Sequence, residues 1–277
     1  MSRWSDGRVL SKKCWALLRS NRYFLWFPIV GVVLSLIPLL IFGGIAVTIA
    51  VAASGIAWLA WIIGLIGLVF VNFAFTLSGA AMVAAIDEEL AGRDSSLGYG
   101  FGKAFGKLAP LFLWSIIRAI VNAIFGALRG NGEGAASILG SIVAGLGAAA
   151  WSIVTFFVTP YIMFESEGAV ASIKKSAHLV REKWGTQLAG GVRIGLSLAL
   201  VFLPAIALIV LGAFALGSLP TLGLILLIVG FLLFLVGALL SSALRSIFSV
   251  ALYRFATDAG ELGPFTSTEL QSVLVKK

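Results

Sequence analysis

Six apolar runs, each long enough to cross a bilayer, decide what this chain can fold into. They cover about 24–50, 55–86, 108–128, 135–164, 188–216 and 221–240, and a helix needs ~20 mostly apolar residues to span a hydrocarbon core. Lipid offers the backbone no hydrogen-bond partners, so each run is expected as a helix that satisfies its own. The sixth run continues past 240 to about 256, where Ser, Arg and Tyr enter the pattern. At ~1.5 Å per residue, that extension protrudes from the bilayer or lies along its surface. Composition agrees: 60% of the 277 residues are apolar and only 12% are charged. A soluble globule of this size cannot hide that much apolar surface. The first run follows a basic leader, as a signal core does, but it is far longer than the roughly 7–15 residues of such a core. We read it as a retained helix.

The loops set the orientation. Those joining the first and second, third and fourth, and fifth and sixth runs hold one basic residue between them, Arg129. The opposite side holds nearly all the others, including Arg3, Arg8, Lys12, Lys13, Arg19 and Arg22 of the leader and Lys174, Lys175, Arg181 and Lys183 after the fourth run. This bias predicts a cytoplasmic (inner) membrane protein with both termini in the cytoplasm. It also accounts for the net charge of +8, so no nucleic-acid partner is expected. One Cys and one His exclude an intramolecular disulfide framework and a two-histidine zinc site. No metal and no cofactor are expected.

Each even-numbered run ends in acids: Asp87, Glu88 and Glu89, then Glu165 and Glu167, then Asp258 and Glu261. Basic amphipathic stretches lead into the odd-numbered runs. Lys12-Lys13-Cys14-Trp15-Ala16-Leu17-Leu18-Arg19 parallels Lys174-Lys175-Ser176-Ala177-His178-Leu179-Val180-Arg181, and a glycine-rich middle stretch at 101–108 is weaker. The pattern predicts a surface helix plus helical hairpin, used three times. Trp15, Leu17, Leu18, Leu179 and Val180 are expected in the membrane interface, with Lys12, Lys13, Arg19, Lys174, Lys175 and Arg181 against anionic headgroups. The acids are expected to pair with the neighbouring basic helices.

The leader reads Ser11-x-x-x-Trp15-x-Leu17-Leu18-Arg19-Ser20-Asn21, then Phe24-Leu25-x-Phe27-Pro28 into the first run. The fourth run closes Thr159-Pro160-Tyr161-x-x-Phe164-Glu165, followed by Ser172-Ile173-Lys174-Lys175-Ser176. On these residues the chain resembles a large group of uncharacterised six-span prokaryotic membrane proteins known as domains of unknown function. The resemblance implies the helix-plus-hairpin layout and carries no activity, cofactor or site residue.

Ionisable residues at membrane depth are functional suspects. Arg118 lies near the middle of the third run. Trp114, Arg118 and Asn122 recur at i, i+4 and i+8 and are expected on one inward face, with Asn72 and Thr76 of the second run as hydrogen-bond partners. Two readings stay open: a polar pocket for an anion or lipid headgroup, and an interhelical clamp. Arg193, within a Gly-x-x-x-Gly pattern, and Arg245 are expected to snorkel to the inner surface. The runs contain no acid, which weighs against proton-coupled pumping. Pro160 and Pro204 are expected to kink their helices.

The sequence thus predicts an all-α, polytopic bundle of six transmembrane helices with basic amphipathic interfacial helices. Residues 1–23 form a cytoplasmic leader, 24–257 the membrane domain and 258–277 a cytoplasmic tail. A non-catalytic scaffold, assembly or oligomer-forming component with a lipid-contacting inner face fits best, self-associating or joined to another membrane protein. The alternative is a channel or transporter for a small anionic or lipidic solute, built around Arg118.

Overall fold

Where the sequence runs apolar the chain is helical, as lipid solvation demands. The computed structural model describes residues 3–52, 54–129, 135–184, 192–257 and 263–265, with side chains over 12–52, 55–129, 138–182, 202–257 and 263–265. In chain order the helices are α1 (Arg3–Ser20), α2 (Trp26–Ala52), α3 (Ala57–Leu90), α4 (Leu97–Phe105), α5 (Leu108–Arg129), α6 (Ala135–Val154), α7 (Val158–Phe164), α8 (Ala169–Trp184), α9 (Val192–Ala215) and α10 (Pro220–Ala256). Among the described residues, five helical segments are long and apolar enough to cross a membrane: Arg22–Ala52, Ala57–Leu90, Leu108–Arg129, Ile138–Phe164 and Pro220–Ala256. The protein is therefore an all-helical, multi-pass membrane protein. The run expected at 188–216 coincides with helix α9, Val192–Ala215, whose described side chains, from Phe202 on, are apolar.

The hairpins close tightly where small residues allow it. Gly212 of α9 meets Gly223 of α10, and a Cβ on either would lie 2.9 Å from the other's carbonyl oxygen. Small residues of this kind let helix backbones approach in lipid, where there is no hydrophobic force between helices. On α4, a Cβ at Gly100 would stand 2.5 Å from the Ala81 carbonyl oxygen and 2.8 Å from the Phe27 ring. Only glycine lets α4 lie that close to α3.

The fourth run is broken. It forms α6 and α7, with a turn at 155–157 between them. Pro160 explains the break, because its ring excludes the carbonyl of Phe156 from a regular helix and it has no N–H to donate. The freed backbone groups find hydroxyls instead. Ser176 of α8 donates to the Val154 carbonyl at 2.5 Å and accepts from the Phe157 N–H at 3.1 Å, and Ser249 of α10 donates to the Phe156 carbonyl at 3.1 Å. Irregular backbone at membrane depth survives only when packed and satisfied in this way.

The main core is not at mid-membrane. Phe24, Phe27, Met82, Ile86, Leu90, Leu111, Phe157, Ile162, Ile247 and Val250 are all essentially inaccessible, and all lie toward the charged ends of their helices. The opposite halves present large apolar side chains outward, such as Leu40, Val51, Trp61 and Phe214. α3 and α10, with 34 and 37 residues, are ~50 and ~55 Å long, well beyond a hydrocarbon core of ~30 Å. Their overshoot is the trunk of the core. The end of α10, expected to protrude or lie flat, packs here: Ala251, Leu252, Tyr253 and Arg254 are buried.

The same core recruits the surface helices. Cys14 and Leu18 of α1 and Leu179 and Val180 of α8 are buried in it. Leu18, Leu179 and Val180, expected in the membrane interface, therefore turn inward onto protein, while Trp15 stays exposed. Helix α1 is thus packed against the spans through Cys14 and Leu18. Of the tail, Phe265 is buried and the Pro264 carbonyl accepts from Lys13 Nζ at 2.7 Å. Asp258 and Glu261 lie outside the described residues.

Candidate functional site

The charged end is a collar held by acids at the ends of α3 and α7. Asp87 on α3 receives Arg254 Nε of α10 at 2.6 Å, while Arg254 Nη2 donates to the Asp87 carbonyl at 2.9 Å. The pair is mostly enclosed: the Arg254 side chain is 8% exposed and that of Asp87 24%. Glu88 accepts from Arg93 Nε and from the Tyr99 hydroxyl, both at 2.5 Å. Glu89 accepts from the Tyr23 hydroxyl at 2.7 Å. Glu165, just after α7, accepts from Lys175 Nζ and from the Tyr253 hydroxyl, each at 2.7 Å, and Lys175 also reaches Glu167.

Three of these acids hold a tyrosine donated by another segment. Burial and the bond to Glu88 push Tyr99 up to about 12, so it stays a donor at any physiological pH. Partial burial pushes Glu165 up, but the bonds from Lys175 and Tyr253 outweigh it and hold the carboxyl below its ordinary value. The two carboxylates beside Lys175 raise its ammonium in turn. The charge pattern predicts acids paired with basic helices and assigns no role to the tyrosines. Their signal was position, since Tyr23, Tyr99, Tyr161 and Tyr253 all fall near charged-end helix termini.

The basic residues singled out in sequence separate into distinct roles. Lys12, Arg19, Lys174 and Arg181 are exposed, and none has a carboxylate partner among the described residues. Lys13 is bound to Pro264 and Lys175 is locked between two acids. Arg245 is exposed on α10, and the Arg193 side chain lies outside the described residues. A groove of about 440 Å³ opens beside α8, lined by Tyr161, Glu165, Lys174, Lys175, His178 and others. His178 there lies 3.4 Å from Glu182, one turn on.

Deeper in the bundle, Arg118 of α5 donates through Nη1 to Thr76 Oγ1 of α3 at 3.2 Å. The Thr76 hydroxyl hydrogen is committed to the Asn72 carbonyl at 2.8 Å, which leaves its lone pairs for the arginine. The guanidinium also lies 5.9 Å from the Trp114 ring centre, and that ring packs on Trp151. Asn72 folds its amide onto the Leu68 carbonyl of its own helix, and Asn122 is exposed. The i, i+8 spacing explains Asn122: eight residues at ~100° each leave it about 80° round the helix from Trp114. Among the described residues no group of three His, Cys, Asp or Glu side chains is arranged to hold a metal. Cys14 is buried, and burial pushes its thiol up to about 12.

A model for a family of unknown function, DUF6159, matches residues 51–263. No curated protein and no solved structure matches the chain.

Proposed function

The chain belongs to DUF6159, a family of unknown function, and from its geometry we propose that it is a non-catalytic, self-associating component of the cytoplasmic membrane. In this reading six helices cross, α9 included, and both termini and the collar face the cytoplasm. The order of a surface helix and then a hairpin, found at α1–α3, α4–α7 and α8–α10, is one unit used three times. The rim of Lys12, Arg19, Lys174 and Arg181 meets anionic headgroups or an acidic partner surface.

One observation carries self-association: the uneven use of glycine. Gly67, Gly147, Gly212, Gly223 and Gly230 stand against neighbouring atoms that a Cβ would overlap. Gly43 and Gly44 of α2 and Gly64 of α3 have nothing within 4 Å, although they lie in the halves farthest from the collar. A helical glycine costs ~1 kcal/mol relative to alanine, and against fluid lipid it returns nothing. Against another helix it permits close packing.

Transport of an anionic or lipidic solute past Arg118 is the second reading, and the α6–α7 break favours it because transporters bind at discontinuous helices. Against it, the freed carbonyls of Val154 and Phe156 and the Phe157 N–H already have serine partners, and Asn122 has turned out of the cluster. The test is particle mass in lipid nanodiscs. Wild type is expected as a closed oligomer, and Gly44→Ile with Gly64→Ile as a smaller species. A wild-type monomer of the same mass as the double variant would defeat the proposal.

A further inference from the structure

A furrow of about 80 Å³ opens on the outer surface where α2 and α10 touch. Its lining is wholly apolar: Ile29, Val32 and Val33 of α2 and Leu235 and Leu239 of α10. Both helices place it just inside the hydrocarbon on the collar side. Leu235 and Leu239 lie ~23 and ~29 Å along α10 from Pro220, near the limit of a ~30 Å core. Trp26, where α2 begins, is 56% exposed, as an interfacial aromatic requires. The furrow residues of α2 then lie ~5 to ~11 Å below it.

Above the furrow the surface turns polar. A 3-10 turn, Arg22–Leu25, runs straight into α2. Four residues at ~120° and six at ~100° make three whole turns, so Arg22 stands over Val32. The rise between them is ~17 Å. That matches the step from a phosphate, across a headgroup layer of ~5–8 Å, into a ~15 Å leaflet of hydrocarbon. On α10, the face of Leu235 and Leu239 continues toward the collar as Ser242 and Ser246, i+7 and i+11 from Leu235. Arg22 is exposed and, like both serine hydroxyls, makes no hydrogen bond or ion pair among the described residues. An amphiphile answers both levels. Its anion meets the guanidinium, whose fork fits phosphate oxygens in shape as well as charge, and its hydrocarbon chain fills the furrow. A second copy belongs instead at the bare Gly43 and Gly44, toward the opposite end of α2.

We propose that one anionic phospholipid is held between α2 and α10 on the collar side. Its phosphate sits on Arg22, beside the hydroxyls of Ser242 and Ser246, and one acyl chain lies in the furrow. This is a single seated lipid, distinct from the diffuse headgroup contacts of the rim. The proposal rests on α2 and α10 crossing a membrane and not on self-association, so a monomer would leave it standing.

The experiment is native mass spectrometry of the full chain released from nanodiscs of phosphatidylcholine and phosphatidylglycerol. Wild type is expected to retain one phosphatidylglycerol in preference to phosphatidylcholine. Arg22→Gln loses a charge-assisted bond and should cut that preference about tenfold or more. Val33→Trp fills the furrow and should cut retention of the same lipid by a similar factor. Arg22 is exposed and Val33 is 56% exposed, so neither variant disturbs the core and both fold. A rim variant, Lys12→Gln with Lys174→Gln, should leave the single retained lipid in place. Equal retention of both lipids by wild type overturns the proposal. So does unchanged retention in Arg22→Gln or Val33→Trp, or loss of the lipid in the rim variant. A smaller particle in Val33→Trp with the lipid still bound would give the furrow to a second copy and overturn it as well.

Discussion

Replacing Asp87 by Asn removes the charge that answers Arg254 while keeping the size of the side chain. The variant also keeps one contact between the same two residues, because Arg254 Nη2 donates to the backbone carbonyl of residue 87. What is lost is the ionic bond from Nε at 2.6 Å. Breaking a fully buried ion pair from one side costs about 3–5 kcal/mol, because the remaining charge is stranded. Here Arg254 is 8% exposed but Asp87 is 24% exposed, so water reaches the edge of the pair. The expected cost of Asp87→Asn is therefore lower, about 2–3 kcal/mol. The assay is unfolding of the full chain by SDS in mixed micelles, followed by tryptophan fluorescence and extrapolated to zero SDS. Adding Arg254→Met removes the cation that Asp87 answers, so the double variant should cost less than the sum of the singles by about 1–2 kcal/mol. A single variant within about 0.5 kcal/mol of wild type, the size of a surface change, would refute the reasoning. So would strict additivity.

Three further outcomes follow from the same geometry. Gly100→Ala should lose about 1–2 kcal/mol in that assay, since clashes with the Ala81 carbonyl and the Phe27 ring exceed a helix-propensity gain of at most about 1 kcal/mol. Gly102→Ala, on the same helix with nothing within 4 Å, should be neutral or stabilising. Glu165 has a folded value below its unfolded one, so its contribution is present above the ordinary carboxylate range, ~4.3, and is lost as pH falls through the folded value. Melting temperature should therefore drop on acidification below about pH 4.5, with a shallower acid limb in Glu165→Gln; identical limbs would exclude this carboxylate. The Cys14 thiol, buried and raised to about 12, should resist maleimide at neutral pH and react fully in SDS. Rapid labelling of folded protein, read by mass spectrometry, would mean that α1 is not seated on the core.

The ends of the helices were legible because lipid solvation writes itself locally, as apolar runs and flanking charge. The expected start of the third run and its near end are those of α5, Leu108–Arg129, and the extension of the last run to about 256 is the end of α10. The α6–α7 break was only half legible. Pro160 marks a kink, but whether a kink opens a cavity depends on Ser176 and Ser249, 22 and 93 residues from the carbonyls they satisfy. The inward turn of Leu18, Leu179 and Val180 was hidden for a similar reason. An amphipathic helix reads alike whether its apolar face meets lipid or a collar, and the collar exists only because α3 and α10 overshoot. Arg118 was visible as an anomaly; that it is held by Thr76 of α3 depends on the packing of α3 against α5, which no local pattern encodes.

The Asp87–Arg254 tie also has a consequence for synthesis. Asp87 and Arg254 are 167 residues apart, and Lys13 and Pro264 are 251 apart. At translation rates of ~5–20 residues per second, α3 waits roughly 8–33 s in the membrane before its partner is made. During that interval the half-built core exposes Ile86 and Leu90 at the bilayer edge. A nascent chain of this protein thus carries a timed period of vulnerability, ended only when its last helix arrives. Chains that stop short of α10 keep that surface open and present it to the membrane's quality-control proteases.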